Sequence, residues 1–296
     1  MLHIYQRTYD GSLLFYSTED YLLLFSSICV KARKYNISLI GICFMIDHLH
    51  LLVDANSRES ISSFVSEYSR LYAKAFNSST RKSGKLFNPG FGCAVKQGDK
   101  RIRTACSYLY NNPCEKKICS KAEDYRWNFL AFAVSDHPFS EKIILNSVSR
   151  PMRRALELLA VLRNADRILG YTHLARLFTG LNEKEREQLT DCIICKYNCV
   201  DYQRLLALYG SYEKMCLAFA SNQGSEYDIS EVFEPGGHSI YSVMLATLQK
   251  RFGFKDVKDI LDLGQSEKAR LARRLSSATG AREWEIRKVF RWQTNR

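Results

Sequence analysis

The stretch FMIDHLHLLVDA, residues 44–55, carries two of the chain's six histidines inside an apolar run. His48 and His50 are two residues apart, and residues i and i+2 of a β-strand share one face of the sheet. Leu49 and Leu51 then point to the opposite face. One histidine here would be explained by hydrogen bonds to buried backbone groups. A pair on one face also indicates a metal site, because neutral imidazole is a common metal ligand.

The segments around this strand predict an α+β fold. Residues 2–7 alternate like a strand, and Ser17 with Asp20 resembles the cap of a following helix. Two strands rich in Ile, Leu and Val meet near Asp47. An amphipathic helix over residues 57–77, a further strand, and a helix that Pro113 stops or kinks complete the series. This order predicts a ferredoxin-like sandwich, an antiparallel sheet with helices on one face.

The second half of the chain has a different character. From about residue 137 helical periodicity dominates, so we divide the chain into residues 1–136 and an all-α domain, residues 137–296. Within the latter, residues 265–292 predict a helix, a short turn at Thr279-Gly280 and a second helix. That is the outline of a helix-turn-helix.

Composition narrows the class of protein. The 296 residues are 46% hydrophobic, enough for a sizeable core, and the net charge of +12 suggests a polyanionic partner, nucleic acid before membrane. A basic but otherwise ordinary surface is the alternative. The ten cysteines are scattered through apolar segments and no secretory signal precedes them, which predicts a reducing cytoplasm. No apolar run approaches the roughly 20 residues that a membrane span requires.

Two imidazoles do not complete a metal site, and the segment SYLYNNP, residues 107–113, offers what is missing. Tyr108 and Asn112 are four residues apart and therefore lie on one helical face. The asparagine carbonyl is a hard ligand suited to Mg²⁺ or Mn²⁺, and the tyrosine hydroxyl can act as a covalent nucleophile. Alternatively, Tyr108 packs in the core and Asn112 caps the helix. Tyr110 and Asn111 would face elsewhere.

The motif His-Leu-His followed some sixty residues later by Tyr-x-x-x-Asn-Pro resembles the single-tyrosine HUH transposases, and more narrowly the REP-associated tyrosine transposases. The resemblance covers residues 1 to about 130. It implies that His48, His50 and Asn112 hold a divalent metal, Mg²⁺ or Mn²⁺, and that Tyr108 is the nucleophile. The position before Asp47 is commonly Pro in that family and is Ile46 here, a departure that changes the local turn.

The resemblance also implies an activity. The expected reaction is DNA transposition by metal-assisted cleavage and rejoining of single-stranded or hairpin DNA through a 5′-phosphotyrosine link, in the bacterial cytoplasm at the nucleoid. A homodimer is possible. One alternative is a non-catalytic DNA-binding regulator that retains the fold. A replication- or relaxase-type nickase is another, although such enzymes usually carry longer chains.

Basic side chains interleaved with aromatic ones suggest where DNA would bind. For any one basic residue, a position on a solvated helix face is the simpler explanation. The prediction of DNA binding rests on the cluster of basic residues as a whole. The single histidines His173 and His238 are expected to be structural. The predicted DNA-binding residues are Arg70, Lys74, Arg81, Lys82, Lys85, Lys96, Lys100, Arg101, Arg103, and, in the helix-turn-helix, Arg282, Arg287 and Lys288.

Overall fold

A four-stranded antiparallel sheet organises the first half of the chain in the computed structural model, which describes residues 1–221 and 237–292. In chain order the strands are β1 (Leu2–Arg7), β2 (Ser38–Phe44), β3 (His48–Asp54) and β4 (Gly92–Val95). Their order in the sheet is β2-β3-β1-β4, with every neighbouring pair antiparallel. This is the predicted ferredoxin-like arrangement, and the α+β fold class is confirmed.

One face of the sheet is covered by two helices, α1 (Thr18–Lys34) and α2 (Arg58–Ser79). Both begin at caps that their sequences encode. The Asp20 carboxylate accepts a hydrogen bond from the Ser17 backbone N–H, and the Ser57 hydroxyl accepts one from the Ser60 backbone N–H. Apolar residues of β1, β2 and β3 bury themselves against these helices and form the main core.

The opposite face of the sheet is covered by α3 (Asp99–Glu115), so the prediction of helices on one face only was wrong. Helix α3 approaches β2 so closely that a Cβ on Gly41 would lie 3.2 Å from the Tyr110 hydroxyl. The helix also runs two residues past Pro113, since a proline near the last turn removes only one backbone hydrogen bond. Helices on both faces make the sheet the middle layer of a sandwich.

The remainder of the chain is helical, as predicted, among the residues that the structure describes. Residues 222–236 and 293–296 of the predicted second domain lie outside that description. The division at residue 137 stays a prediction. The α-helices after the sheet region are α4 (Arg150–Asn164), α5 (Tyr171–Phe178), α6 (Glu183–Tyr197), α7 (Tyr202–Ala207), α8 (Tyr212–Ser221), α9 (Ser239–Ala246), α10 (Gln265–Thr279) and α11 (Glu283–Phe290).

These helices pack directly on the sheet region. Helices α5 and α6 contact α1, and α8 contacts α3, so one apolar core runs through both halves. Helices α10 and α11 are joined by a three-residue turn at Gly280, whose φ of +70° favours glycine. A DNA-docking role for this helix pair stays a prediction. Within the described ranges, no helix is both long and apolar enough to cross a membrane.

Candidate metal and nucleophile site

Strand β3 directs His48 and His50 to the face of the sheet that α3 covers. Strand β1 lies beside it, and the antiparallel register sets Tyr5 opposite His50 and Arg7 opposite His48. His3 lies two residues before Tyr5 and therefore points to the same face. The two strands together thus carry a patch of polar and aromatic side chains, which the sequence pattern had indicated only for the histidine pair.

His48 is held by its neighbour in the chain. Its Nδ1 lies 2.6 Å from Oδ1 of Asp47, and both side chains are buried. A carboxylate can only accept, so Nδ1 carries a proton, and in the neutral form of the ring Nε2 has a free lone pair. Nε2 is buried and has no hydrogen-bond partner among the described residues. A buried acceptor without a partner is costly and indicates a ligand.

His50 is bonded at both ring nitrogens. Its Nδ1 lies 3.1 Å from Nε2 of His3, and its Nε2 lies 3.2 Å from the side-chain nitrogen of Asn112. Burial, followed by repulsion from His48 and His3 when these rings are protonated and from Arg7, holds the pKa of His50 well below its ordinary value. Burial, with Lys96, lowers the pKa of His3 to about 4. Both rings are therefore neutral at pH 7, the form in which imidazole binds metals.

Helix α3 presents Tyr108 and Asn112 to these histidines from successive turns. The Tyr108 ring is buried and meets the His50 ring edge-on, with centroids 5.4 Å apart and an interplanar angle of 86°. The side-chain oxygen Oδ1 of Asn112 is buried and has no hydrogen-bond partner in the described part of the chain. The Asn112 side chain thus faces His50 instead of capping the helix.

The neighbouring residues Tyr110 and Asn111 point away from the site, as their helical positions predict. The Tyr110 ring stacks on Phe219 of α8 with centroids 5.3 Å apart. The Asn111 side chain donates a hydrogen bond of 2.8 Å to the Phe219 backbone carbonyl. Tyr108 and Asn112 therefore lie beside the histidines, whereas the Tyr110 ring and the Asn111 side chain contact Phe219.

The donor set fits a divalent metal of the Mn²⁺ or Mg²⁺ kind. Among the described residues, His48 Nε2 and Asn112 Oδ1 are buried acceptors without a hydrogen-bond partner, and His50 Nε2 lies 3.2 Å from the side-chain nitrogen of the same asparagine. Two imidazole nitrogens and one amide oxygen suit Mn²⁺ at least as well as Mg²⁺, because imidazole favours transition metals. Within the described residues, no group of three or more His, Cys, Asp or Glu side chains is placed to hold a metal.

Two side chains from the C-terminal half reach this region, which the sequence did not predict. Nζ of Lys288, on α11, lies 3.4 Å from Oδ2 of Asp47. The buried His238 ring lies edge-on to His48, with centroids 6.2 Å apart, although it was expected to be an isolated structural histidine. Burial opposes ionisation of Asp47, yet His48, His238 and Lys288 hold the pKa of its carboxyl below the ordinary value.

The site also contains residues that pattern reading missed. His3, Tyr5 and Arg7 alternate along β1, and this alternation was the available signal. The Tyr5 ring lies 5.2 Å from His50 and 5.7 Å from His48, centroid to centroid. Tyr5 is therefore a second tyrosine at the site besides Tyr108. The guanidinium of Arg7 lies 5.3 Å from the Tyr5 ring centroid.

The predicted DNA-binding residues of the sheet region fall into two groups. Arg70 and Lys74 are exposed on α2, which lies on the other side of the sheet from Tyr108. Lys85 follows α2 and lies 5.8 Å from the Tyr9 ring, whereas Arg81 and Lys82 pair with Asp262. The second group surrounds the start of α3, on the same side of the sheet as Tyr108. It consists of Lys96, Lys100, Arg101 and Arg103, all exposed or half-buried.

The three predicted DNA-binding residues at the last helix each face an acidic side chain. Arg282 pairs with Glu285 at 3.0 Å and Arg287 with Glu283 at 2.6 Å, both within α11 or its cap. Lys288 instead faces Asp47 with only 13% of its side chain exposed. The structure therefore separates Lys288 from the two arginines with which the sequence grouped it.

Comparisons with known proteins found a similar solved structure and a matching family. A solved structure of a REP-associated tyrosine transposase bound to a REP hairpin is similar at 16% sequence identity, over 43% of this chain and 73% of that one, with a TM-score of 0.38. No curated protein matches the chain. Residues 12–112 match the family of IS200-like transposases, and this segment contains His48, His50, Tyr108 and Asn112. The resemblance to these transposases that the sequence suggested is thereby confirmed.

Proposed function

We propose that this protein is a metal-dependent DNA strand transferase that cleaves and rejoins single-stranded or hairpin DNA through a tyrosine nucleophile. One observation carries the proposal. Two buried acceptors that have no hydrogen-bond partner among the described residues, His48 Nε2 and Asn112 Oδ1, lie beside the imidazole that Tyr108 contacts. Each unsatisfied buried polar group costs about 1–3 kcal/mol, and a metal bound to both atoms would remove that cost.

His48, His50 and Asn112 would hold the metal. When bound, a divalent metal polarises a phosphate oxygen and stabilises the charge that develops during phosphoryl transfer. Other residues of the chain would orient the ligands and the tyrosine. Asp47 and His3 hold the two imidazoles, and α3 keeps Tyr108 one helical turn from Asn112. The Arg7 guanidinium provides a positive charge on the same face for a phosphate.

The reaction conserves phosphodiester-type bonds. The Tyr108 oxygen attacks phosphorus and loses its proton, and the bond from phosphorus to the 3′ oxygen breaks. The 3′ oxygen leaves and takes up a proton, which gives a free 3′-OH and a 5′-phosphotyrosine. In the second step a DNA 3′-OH attacks the phosphotyrosine, restores a phosphodiester and returns the proton to Tyr108. No nucleotide cofactor is needed, because one ester is exchanged for another.

The surface around the start of α3 is suited to hold the DNA strand. Lys100, Arg101 and Arg103 are exposed on the first turns of the helix that carries Tyr108. Lys96 lies just before them at the end of β4. Phosphate contacts by such side chains supply most of the affinity of sequence-independent binding and make it depend on salt.

The decisive experiment detects the covalent intermediate. Full-length protein is incubated with Mn²⁺ or Mg²⁺ and a pool of DNA hairpins with randomised single-stranded flanks and a 3′ fluorophore. Denaturing electrophoresis then separates labelled protein from free DNA. We expect a labelled adduct with the wild type, and loss of the adduct in Tyr108→Phe and in EDTA, because the nucleophile or the metal is absent.

Two matched variants identify the nucleophile. Tyr5→Phe removes the other tyrosine hydroxyl at the site. Tyr110→Phe removes the hydroxyl of the tyrosine two residues after Tyr108, whose ring stacks on Phe219 of α8. Both should still form the adduct. An adduct lost in Tyr5→Phe and kept in Tyr108→Phe would transfer the role to Tyr5. Tight hairpin binding with no adduct from the wild type would instead favour a non-catalytic DNA-binding regulator.

A further inference from the structure

Strand β1 adds a third histidine, His3, to the pair on β3. His3 is 2% exposed, and its Nε2 lies 3.1 Å from Nδ1 of His50. The two residues are far apart in the chain and meet because β1 and β3 pair in the sheet. His3 also touches the nucleophile, since its ring lies edge-on to Tyr108 with centroids 5.9 Å apart.

The contact between His3 and His50 is a hydrogen bond in the plane of the rings. The rings are nearly parallel, with an interplanar angle of 17° and centroids 5.2 Å apart. A hydrogen bond of ordinary length between two imidazoles lying edge to edge in one plane places their centroids roughly 5 Å apart. Face-to-face stacking is therefore not the main interaction, and the bond fixes the rotation of the His50 ring.

The partners of His50 also define which nitrogen carries its proton. Asn112 approaches Nε2 with its side-chain N–H group, which can only donate, so Nε2 is the acceptor. The proton of the neutral ring is then on Nδ1 and is donated to Nε2 of His3. His48 shows the same arrangement, with Nδ1–H bonded to Asp47 and Nε2 free. Both imidazoles are thus held through Nδ1.

We infer that His3 is a positioning residue that holds His50 in the tautomer and rotation whose Nε2 lone pair can bind a metal. It does for His50 what Asp47 does for His48. The inference rests on the proposed metal site. Groups that accept the second ring N–H of a metal-ligating histidine typically change metal affinity 10- to 100-fold when they are removed. A histidine that merely fills the core would have no such effect.

The test measures metal binding to the full-length protein without DNA. The dissociation constant for Mn²⁺ is obtained by electron paramagnetic resonance for the wild type, His3→Met, His3→Gln and Ile4→Val. His3→Met fills the same space with an apolar side chain and removes the imidazole acceptor. It should weaken Mn²⁺ binding about 10- to 100-fold. His3→Gln keeps an acceptor oxygen and should restore binding to within a few-fold of the wild type. Ile4→Val removes a buried methylene from the other face of the same strand and should leave binding unchanged.

A spectroscopic measurement separates positioning from loss of structure. The ring ¹⁵N chemical shifts of His50 should show the Nδ1–H tautomer in the metal-free wild type and in His3→Gln, and a mixture of tautomers in His3→Met. Unchanged Mn²⁺ affinity and tautomer in His3→Met would overturn the inference while leaving the metal site in place, provided that His48→Ala weakens binding. Absence of Mn²⁺ binding by the wild type, or binding unaffected by His48→Ala, would overturn the metal site and the inference together.

Discussion

The two faces of strands β1 and β3 share one backbone and carry different chemistry. Toward α1 and α2 the alternate residues Ile4, Leu49 and Leu51 are fully buried in the main core. Toward α3 the intervening residues are mostly polar or aromatic. The polar and aromatic residues on this face are His3, Tyr5, Arg7, His48 and His50. Because side chains alternate along a strand, one hydrogen-bonded pair of strands serves as core on one side and as a site on the other.

The two faces of the sheet contribute differently to the stability of the fold. On the apolar face, burial removes hydrocarbon from water and is favourable everywhere. On the other face, His48 Nε2 and Asn112 Oδ1 remain buried without a hydrogen bond among the described residues. Each such atom costs about 1–3 kcal/mol. The proposed metal on that face would remove this cost at both atoms.

The largest effect on stability is expected from the core face. Leu51→Ala removes a fully buried side chain that packs against the helices, and should lower the free energy of unfolding by about 2–5 kcal/mol. Urea denaturation measures this loss. The Mn²⁺ affinity of the folded protein should stay within about twofold, since the Leu51 side chain points to the face of the sheet opposite His48 and His50. A loss of metal affinity comparable to that of a ligand variant would show that the two faces are not separable.

An intermediate effect is expected from the site face. Asp47→Ala removes the carboxylate that accepts from His48 Nδ1, and should weaken Mn²⁺ binding about 10- to 100-fold, or about 1.4–2.8 kcal/mol. Calorimetric titration with Mn²⁺ checks this. Asp54→Ala is the matched control, because Asp54 ends the same strand and pairs with Arg204 away from the histidines. Equal weakening in both variants would reduce the effect to general electrostatic attraction.

The smallest effect concerns a polar residue on the core face. The buried Gln6 side chain accepts a hydrogen bond of 2.9 Å from the Tyr68 hydroxyl. Gln6→Leu should therefore cost about 1 kcal/mol of unfolding free energy in denaturant titration. Adding Tyr68→Phe should recover part of that loss, because the unpaired hydroxyl is removed as well. A change in Mn²⁺ affinity in either variant would contradict a purely structural role for Gln6.

Local sequence was sufficient for much of the site. The spacing of His48 and His50 determines that they share a strand face, and the spacing of Tyr108 and Asn112 determines that they share a helix face. These are properties of backbone geometry that any strand or helix imposes. The order of strands and helices likewise predicted the ferredoxin-like sheet. The position of α3 on the second face was not predictable, because periodicity identifies an apolar face without naming its partner.

The sequence by itself therefore determined features within single helices and strands, such as the cap that Asp20 provides for α1. The same Asp20 carboxylate also binds Lys258 at 2.9 Å and Tyr171 at 2.6 Å, contacts that span the two halves of the chain. Likewise, only the tertiary structure brought His3 to His50 and Lys288 to Asp47. Strand register and helix docking decide these contacts, and both depend on packing between segments that are distant in sequence. Local periodicity does not specify which of these distant segments pack together.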